Sequence, residues 1–282
     1  MRKARGRVML CLLLILLLSL ALCACGASTR EGADLTVYFF SAGKADAILL
    51  TTENSAVLID CGEKGFGQTI LDRLAAQGVT EIDTLIITHF DRDHVGGAAR
   101  VINRIPVGSV LQSDCPRDSE EYEKYVKALE NAGIEAVTLR EEYSFTLDGV
   151  RFTVDPPLLT DYKKDDSNNS SLIVTVSTGA HTLLFTGDAQ TERLAEYLAA
   201  SPADCDLIKL PHHGGEEPLT DALLAATTPS YAVITCSAEE PDISASLDSL
   251  DRAGVPIWRT DEGPVLVLCR GADISVAYDT AR

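Results

Sequence analysis

The stretch that decides the reading is Thr88-His89-Phe90-Asp91-Arg92-Asp93-His94, followed after Val95 by Gly96-Gly97. Four side chains able to ligate a metal (His89, Asp91, Asp93 and His94) fall within six residues. Directly before them, Thr84–Thr88 (TLIIT) is short and apolar, the pattern of a buried strand. A loop at a strand's end escapes the pleat alternation that sends successive side chains to opposite faces, so it can aim several at one point. Mixed imidazole and carboxylate donors suit zinc, manganese or iron, and so dense a cluster can serve two ions. Gly96-Gly97 is expected to let the backbone turn sharply into the next helix.

Two further segments repeat the plan of an apolar strand running into ligands. Leu183-Leu184-Phe185-Thr186-Gly187-Asp188 ends in a carboxylate, and Leu207-Ile208-Lys209-Leu210-Pro211-His212-His213-Gly214-Gly215 ends in adjacent histidines. Four of the five histidines lie in these three segments. The fifth, His181, follows Gly179-Ala180 between two strand-like runs and reads as a solvated hairpin residue.

Outward from these segments, strands and helices alternate. Leu35–Phe40, Ala47–Thr51 and Ala56–Asp60 are closely joined strand candidates, and Gln68–Gln77 has helical spacing that stops before Gly78. Gly97–Arg104 and Glu120–Ala132 read as helices, and Val150–Val154, Leu172–Val176 and Thr182–Thr186 as strands. Beyond them come helix Thr191–Ala200, strand Asp206–Leu210, helix Asp221–Ala226, strand Tyr231–Cys236, helix Ser244–Ala253 and strand Val265–Cys269. Hairpin-like connections early and helical connections late imply an α/β fold. Its architecture is an αββα sandwich, two mixed sheets face to face with helices outside.

The N-terminus carries a different message. Arg2, Lys3, Arg5 and Arg7 precede an apolar run from Val8 to Leu22, and Ala24-Cys25 follows. A basic region, a short apolar core and small residues describe a secretory signal, and the run is shorter than the ~20 residues of a spanning helix. The segment resembles a bacterial lipoprotein signal: residues 1–24 are expected to be removed, Cys25 to carry lipid, 25–34 to form a tether and 35–282 the catalytic domain. The five cysteines beyond it are widely spaced with no Cys-x-x-Cys pair, so neither a disulfide framework nor a zinc ribbon is indicated. Cys236 and Cys269 read as buried small hydrophobes on strands. The 282-residue chain carries 24 basic and 42 acidic residues, a net of −18. Loss of the four leader cations brings that to −22. Such a surface repels polyanions, so a phosphate must be gripped by a local site, a metal or a small basic patch.

In order and separation, the three ligand segments resemble the metallo-β-lactamase superfamily. The likeness is nearest to the hydrolase domain of ComEC-type competence proteins and their stand-alone relatives. His89, Asp93 and His94 match the His-x-His-x-Asp-His motif, with Asp91 at the place of the second His, and Asp188 matches the bridging Asp. Leu58-Ile59-Asp60-Cys61-Gly62, Asn168 or Asn169 with Ser171, Pro211-His212-His213-Gly214 and Thr260-Asp261-Glu262-Gly263 extend the likeness over about Leu35 to Val276. The departures are Gly43-Lys44-Ala45-Asp46 for Gly-Gln-Gly-Asp, Gly215 for the Ser after the His pair, and Glu239-Glu240-Pro241-Asp242 where many relatives carry Gly-His-Pro.

The resemblance implies one or two divalent ions, zinc or manganese. Asp93, His94 and Asp188 with a His of the Pro-His-His pair would hold one ion, and His89 and Asp91 the second, with Asp188 bridging. His213 is assigned to metal and His212, with Asp93, to catalysis, although sequence leaves the order of the pair open. Asn169 and Ser171, and Lys209 as well, are candidate donors to a phosphate. The expected activity is that of a lipid-anchored extracytoplasmic phosphodiesterase or nuclease-like hydrolase. The alternatives are a phosphorylcholine-type envelope phosphoesterase and a catalytically weak accessory or binding lipoprotein. The expected partners are a phosphoester substrate, with DNA among the candidates, and the membrane through Cys25; no protein partner can be inferred.

Overall fold

A computed structural model describes residues 34–160, 162 and 167–280. The expected signal peptide, Cys25 and the tether up to Ala33 lie outside the described residues.

Fifteen strands among the described residues form two sheets. The first sheet runs from β15 (Asp273–Tyr278) and β14 (Val265–Arg270) through β1 (Leu35–Phe39), β2 (Ile48–Thr51), β3 (Ala56–Ile59) and β4 (Ile82–Ile87) to β5 (Val107–Gln112) and β6 (Val137–Thr138). Its site-bearing members are the four central strands, β1 to β4. The second has the order β13 (Ile257–Arg259), β12 (Tyr231–Ile234), β11 (Leu207–Lys209), β10 (Thr182–Phe185), β9 (Ile173–Ser177), β8 (Val150–Asp155) and β7 (Tyr143–Leu147), with β9 to β12 nearest the site. Both sheets are mixed. β1, β2 and β3 are antiparallel neighbours, whereas β3–β4 and β10–β11–β12 run parallel. The αββα sandwich expected from the sequence is the architecture observed.

Strands buried on both faces explain the near-continuous apolar runs. In β10, Leu183 and Phe185 join the core between the sheets, where they meet Leu35, Val37 and Phe39 of β1. Leu184 faces the other way, into a core that includes Leu194, Leu223 and Leu250. Those three belong to helices α5 (Thr191–Ala199), α6 (Thr220–Thr227) and α7 (Ser244–Ala253). The outer face of the first sheet, with Leu49, Leu58, Leu85 and Ile87, is covered in turn by Ile70, Val101 and Tyr125. These come from α1 (Gly67–Ala76), α3 (Ala98–Ile102) and α4 (Glu120–Ala132). Full burial of each such aliphatic or aromatic side chain is worth about 1.5–3 kcal/mol, so three apolar layers can carry a site rich in buried charge.

The sequence reading places α4 and α7 with their observed bounds and misses several strands. β5 (Val107–Gln112) is obscured by Gly108 and Ser109, β7 (Tyr143–Leu147) is half exposed, and β15 (Asp273–Tyr278) is an edge strand with one exposed face. The helix expected over Gly97–Arg104 is the shorter α3, and a further one-turn helix, α2 (Arg92–Val95), lies unforeseen within the ligand loop before it. Cys236 and Cys269 are buried, in keeping with their apolar surroundings, and His181 is buried too. Its Nδ1 lies 3.5 Å from Asp206, and this burial corrects the solvated reading.

Gly96-Gly97 also serves a different purpose from the one expected. Both residues have ordinary right-handed helical angles (φ −58° and −85°), so no special turn is made. What they provide is closeness. A Cβ on Gly97 would sit 2.2 Å from the Cys61 carbonyl oxygen, and one on Gly96 2.5 Å from the Lys64 backbone nitrogen. The ligand loop is thereby pressed onto the end of β3. Gly97→Ala is expected to cost about 1–3 kcal/mol, as overpacking of a rigid interior does. A lowered urea midpoint with an unchanged slope is the measurement that checks it.

Candidate metal centre

Strands β3 and β4 of one sheet and β10, β11 and β12 of the other deliver the loops that meet at this end of the sandwich. Asp60 follows β3, His89 to His94 follow β4, Asp188 follows β10, and Thr235 follows β12. His212 and His213 lie beyond β11, in a short turn where both have left-handed φ (47° and 54°). That conformation is uncommon outside glycine and marks a backbone held by its surroundings. It also separates the pair: His213 is buried, while His212 is half-buried with its Nδ1 3.4 Å from Gln190.

The structure gathers one ligand atom each from Asp93, His94, Asp188 and His213 within 4.8 Å of one another. Asp188 is central, with Oδ2 3.2 Å from His94 Nε2 and 3.1 Å from His213 Nε2. Asp93 Oδ2 lies 3.5 Å from His213 Nε2. His89 and Asp91 stand beside this group rather than within it. The His89 ring is 4.0 Å from that of His94, and its Nε2 is 3.8 Å from Asp91 Oδ2. Asp91 accepts a hydrogen bond from Ser167 Oγ (2.6 Å) and pairs with Arg117 Nε (3.3 Å).

Behind these side chains is a set of holders. Asp60, fully buried, accepts from the Thr88 backbone N–H (2.8 Å), the Thr88 hydroxyl (2.6 Å) and His94 Nδ1 (2.8 Å). The Thr235 carbonyl accepts from His213 Nδ1 (2.9 Å), and Thr235 Oγ donates to Asp46 (2.6 Å). With both Nδ1 atoms donating, each Nε2 is free to turn toward the cluster, as second-shell partners of metal-ligating histidines do. Indeed Nε2 of His89, His94 and His213 are buried and have no hydrogen-bond partner among the described residues. Orphaned imidazole nitrogens facing carboxylates fit a divalent cation, and the donor set suits zinc, manganese or iron.

Lys209, also fully buried, lies 2.5 Å from Asp46, donates to the Gly187 carbonyl (2.9 Å) and is 3.6 Å from Asp188. A cation removed from water costs several kcal/mol unless it is paired, so these contacts commit its charge to the protein. The expectation that it would meet a phosphate is therefore not met. Asn169 and Ser171 are likewise fully buried. Asn169 Oδ1 accepts from the backbone N–H of Gln190 and of Arg193 at the start of α5, and Ser171 Oγ accepts from the Asp188 N–H (3.0 Å). Their geometry supports α5 and Asp188 instead of reaching into the cleft. Sequence alone does not mark Asp46, Asp60 or Thr235 as functional, although each stands at or near the end of an apolar run.

A cleft of about 370 Å³ opens on the cluster, lined by Asp93, Asp188, His212, Lys44, Arg117 and their neighbours. Its floor is charged. Burial opposes the protonated form of His94 and His213, but the Asp188 carboxylate beside both outweighs that and raises them, His213 to about 10. Asp188 is held well below the usual carboxylate range: burial alone would raise it, and the two imidazoles overcome that.

A family model described as the metallo-beta-lactamase superfamily matches residues 41–237. The chain belongs to that superfamily. Its members are usually metal-dependent hydrolases and bind divalent cations, often two. Among similar proteins, competence protein ComA of Neisseria gonorrhoeae is 28% identical over 234 residues, covering 81% of this chain and 31% of that protein. ComE operon protein 3 of Bacillus subtilis is 27% identical over 212 residues, covering 71% and 26%. The chain thus spans less than a third of either competence protein. Among solved structures, the metallo-beta-lactamase fold protein YhfI of Bacillus subtilis aligns with a TM-score of 0.56 at 12% identity, over 80% of this chain and 96% of that one. CmlA, a diiron beta-hydroxylase from Streptomyces venezuelae, aligns at 0.51 and 14% identity, over 87% and 54%. These likenesses place this superfamily member's fold beside theirs.

A cation and a proton compete for Nε2 of His94 and of His213, because an imidazole must be unprotonated there to ligate, and the Asp188 carboxylate beside both favours the protonated form. Affinity for manganese or zinc is therefore expected to fall as pH falls and to climb as pH rises toward the range of His213, with net proton release. Calorimetric titration in buffers of different ionisation enthalpy reads both. In the same titration Asp60→Ala, which removes no proposed ligand, should weaken binding about 10–100-fold.

Proposed function

We propose that this superfamily member is a lipid-anchored, extracytoplasmic, metal-dependent phosphodiesterase or nuclease-like hydrolase. The observation that carries the hydrolase reading is the convergence of Asp93, His94, Asp188 and His213 with orphaned imidazole nitrogens at the floor of a cleft. Those four residues would hold a divalent cation, and His89 with Asp91 offers a second, looser pair of donors beside them. A cation held there supplies Lewis-acid polarisation of the electrophile and lowers the pKa of water toward neutrality.

The chain's own residues do the rest. Asp60 and Thr235 keep the His94 and His213 rings turned, and Lys209 steadies Asp188 from below. His212, half-buried on the cleft wall, is the group positioned to exchange a proton with the leaving oxygen. Burial lowers its basicity below that of free histidine. Asp93, the most open member of the cluster, is placed to orient the attacking water.

Three carboxylates in the metal loop and at the end of β10 make the donor set rich in hard oxygen. That favours phosphoester over lactam chemistry. Similarity to competence proteins supports the nuclease-like form of this reading. The net charge of −18 favours a second one, a phosphorylcholine-type envelope phosphoester, because a small headgroup is repelled less than a polyanion. The extracytoplasmic, lipid-anchored placement rests on the Arg2–Cys25 segment.

Metal-loaded protein is expected to hydrolyse bis-p-nitrophenyl phosphate, and His94→Ala to abolish turnover with an unchanged circular dichroism spectrum. Hydrolysis of a thioester or lactam and of no phosphoester would overturn the substrate class. Cys25→Ser should release the protein from membranes or leave it unprocessed. Normal cleavage with membrane retention would refute the lipid anchor.

A further inference from the structure

The protein is strongly acidic, yet the cleft over the metal cluster is lined by Lys44, Arg92 and Arg117. The acids in the same lining are largely accounted for. Asp93 and Asp188 belong to the cation cluster, and Asp91 is paired with Arg117, which leaves Glu121. Arg92 is mostly exposed and reaches toward Glu63 at 4.0 Å, so its charge is partly spent outside the cleft. Lys44 is half-buried on the loop that carries Asp46, and its charge is felt at His212.

Arg117 differs from both in being braced. Its Nε faces Asp91 Oδ1 at 3.3 Å, and Asp91 is itself fixed through Oδ2 by the Ser167 hydroxyl at 2.6 Å. A guanidinium has five N–H donors in a planar fork, and an ion pair through Nε leaves the two terminal nitrogens for another ligand. The fork matches the oxygens of a phosphate, and fixing it beforehand reduces the entropy lost on binding.

We infer that Arg117, braced by Asp91 and joined by Lys44, is an anion-binding subsite for the phosphate of the substrate. The inference rests on the phosphoesterase reading and deepens it. Asp91, standing where the family motif has a second His, thereby acquires a task in addition to any cation it helps to hold. The acidic surface then discourages long polyanions at large while a local pair of cations accepts one phosphate.

The test compares wild type, Arg117→Ala and Arg117→Lys as full-length protein loaded with manganese, with metal content measured in each. For Arg117→Ala, KM for bis-p-nitrophenyl phosphate should rise about tenfold while kcat stays within about threefold. That is the loss expected of one charge-assisted hydrogen bond made equally in ground and transition states. Arg117→Lys should recover part of it. Calorimetry with inorganic phosphate should show an affinity about tenfold weaker for Arg117→Ala at equal metal content. KM and phosphate affinity both within twofold of wild type would overturn the subsite. So would loss of metal from Arg117→Ala, which would make Arg117 a support of the cation cluster, or a failure of wild type to bind phosphate. If wild type hydrolyses no diester, the phosphodiesterase reading falls by itself, and the phosphate titration still decides the role of Arg117.

Discussion

Asp188 is a carboxylate buried almost completely between two sheets, and the structure around it is arranged to keep it charged there. His94 comes from one sheet and His213 from the other, each within about 3.2 Å of the same oxygen, while Lys209 approaches from behind. Burying an unpaired carboxylate would cost far more than any single apolar contact returns. The two sheets are therefore held in one relative position at this end by electrostatics as well as by packing. A cation bound at the cluster would take over the compensation that protons on the imidazoles otherwise provide.

The same constraint accounts for the second layer of polar groups. An imidazole is useful at the centre only if its far nitrogen is fixed, and Asp60 and the Thr235 carbonyl do this from opposite sheets. Asp46 ties that layer together, meeting Lys209, Thr235 and the edge of His213. Each of these holding groups is buried and paired within the protein. The open positions lie only on the cleft side, at Asp93, His212 and the basic rim. Chemistry on a substrate is directed to that side for a physical reason: Asp46, Asp60, Thr235 and Lys209 are committed to one another and to the ligands, while the imidazole Nε2 atoms left without a hydrogen-bond partner face the cluster.

Much of this was legible in the residues. A ligand-dense loop after an apolar strand is costly to maintain without a use, and three such segments in one chain pointed to one centre. Apolar runs without polar alternation foretold sheets covered on both faces. Strands with weak signals were missed, because β5 contains Gly108 and Ser109 and the edge strand β15 buries only one face. Asn169, Ser171 and Lys209 show the limit from the other side. Their polarity suggested contact with substrate, while burial turns the same hydrogen-bonding capacity inward to backbone and carboxylates.

By itself the sequence determined the layered α/β class, the strand-end placement of the ligands and the excess of acid over base, since all three follow from periodicity, spacing and composition. The tertiary structure decided which of two adjacent histidines enters the cluster, because only the left-handed backbone at His212 and His213 sends one ring inward and the other toward solvent. It also decided that Asp91 is shared with Arg117, residues 26 positions apart in the chain. Such pairings depend on where loops from separate strands come to rest, and that is fixed by the packing of two sheets rather than by any local pattern of residues.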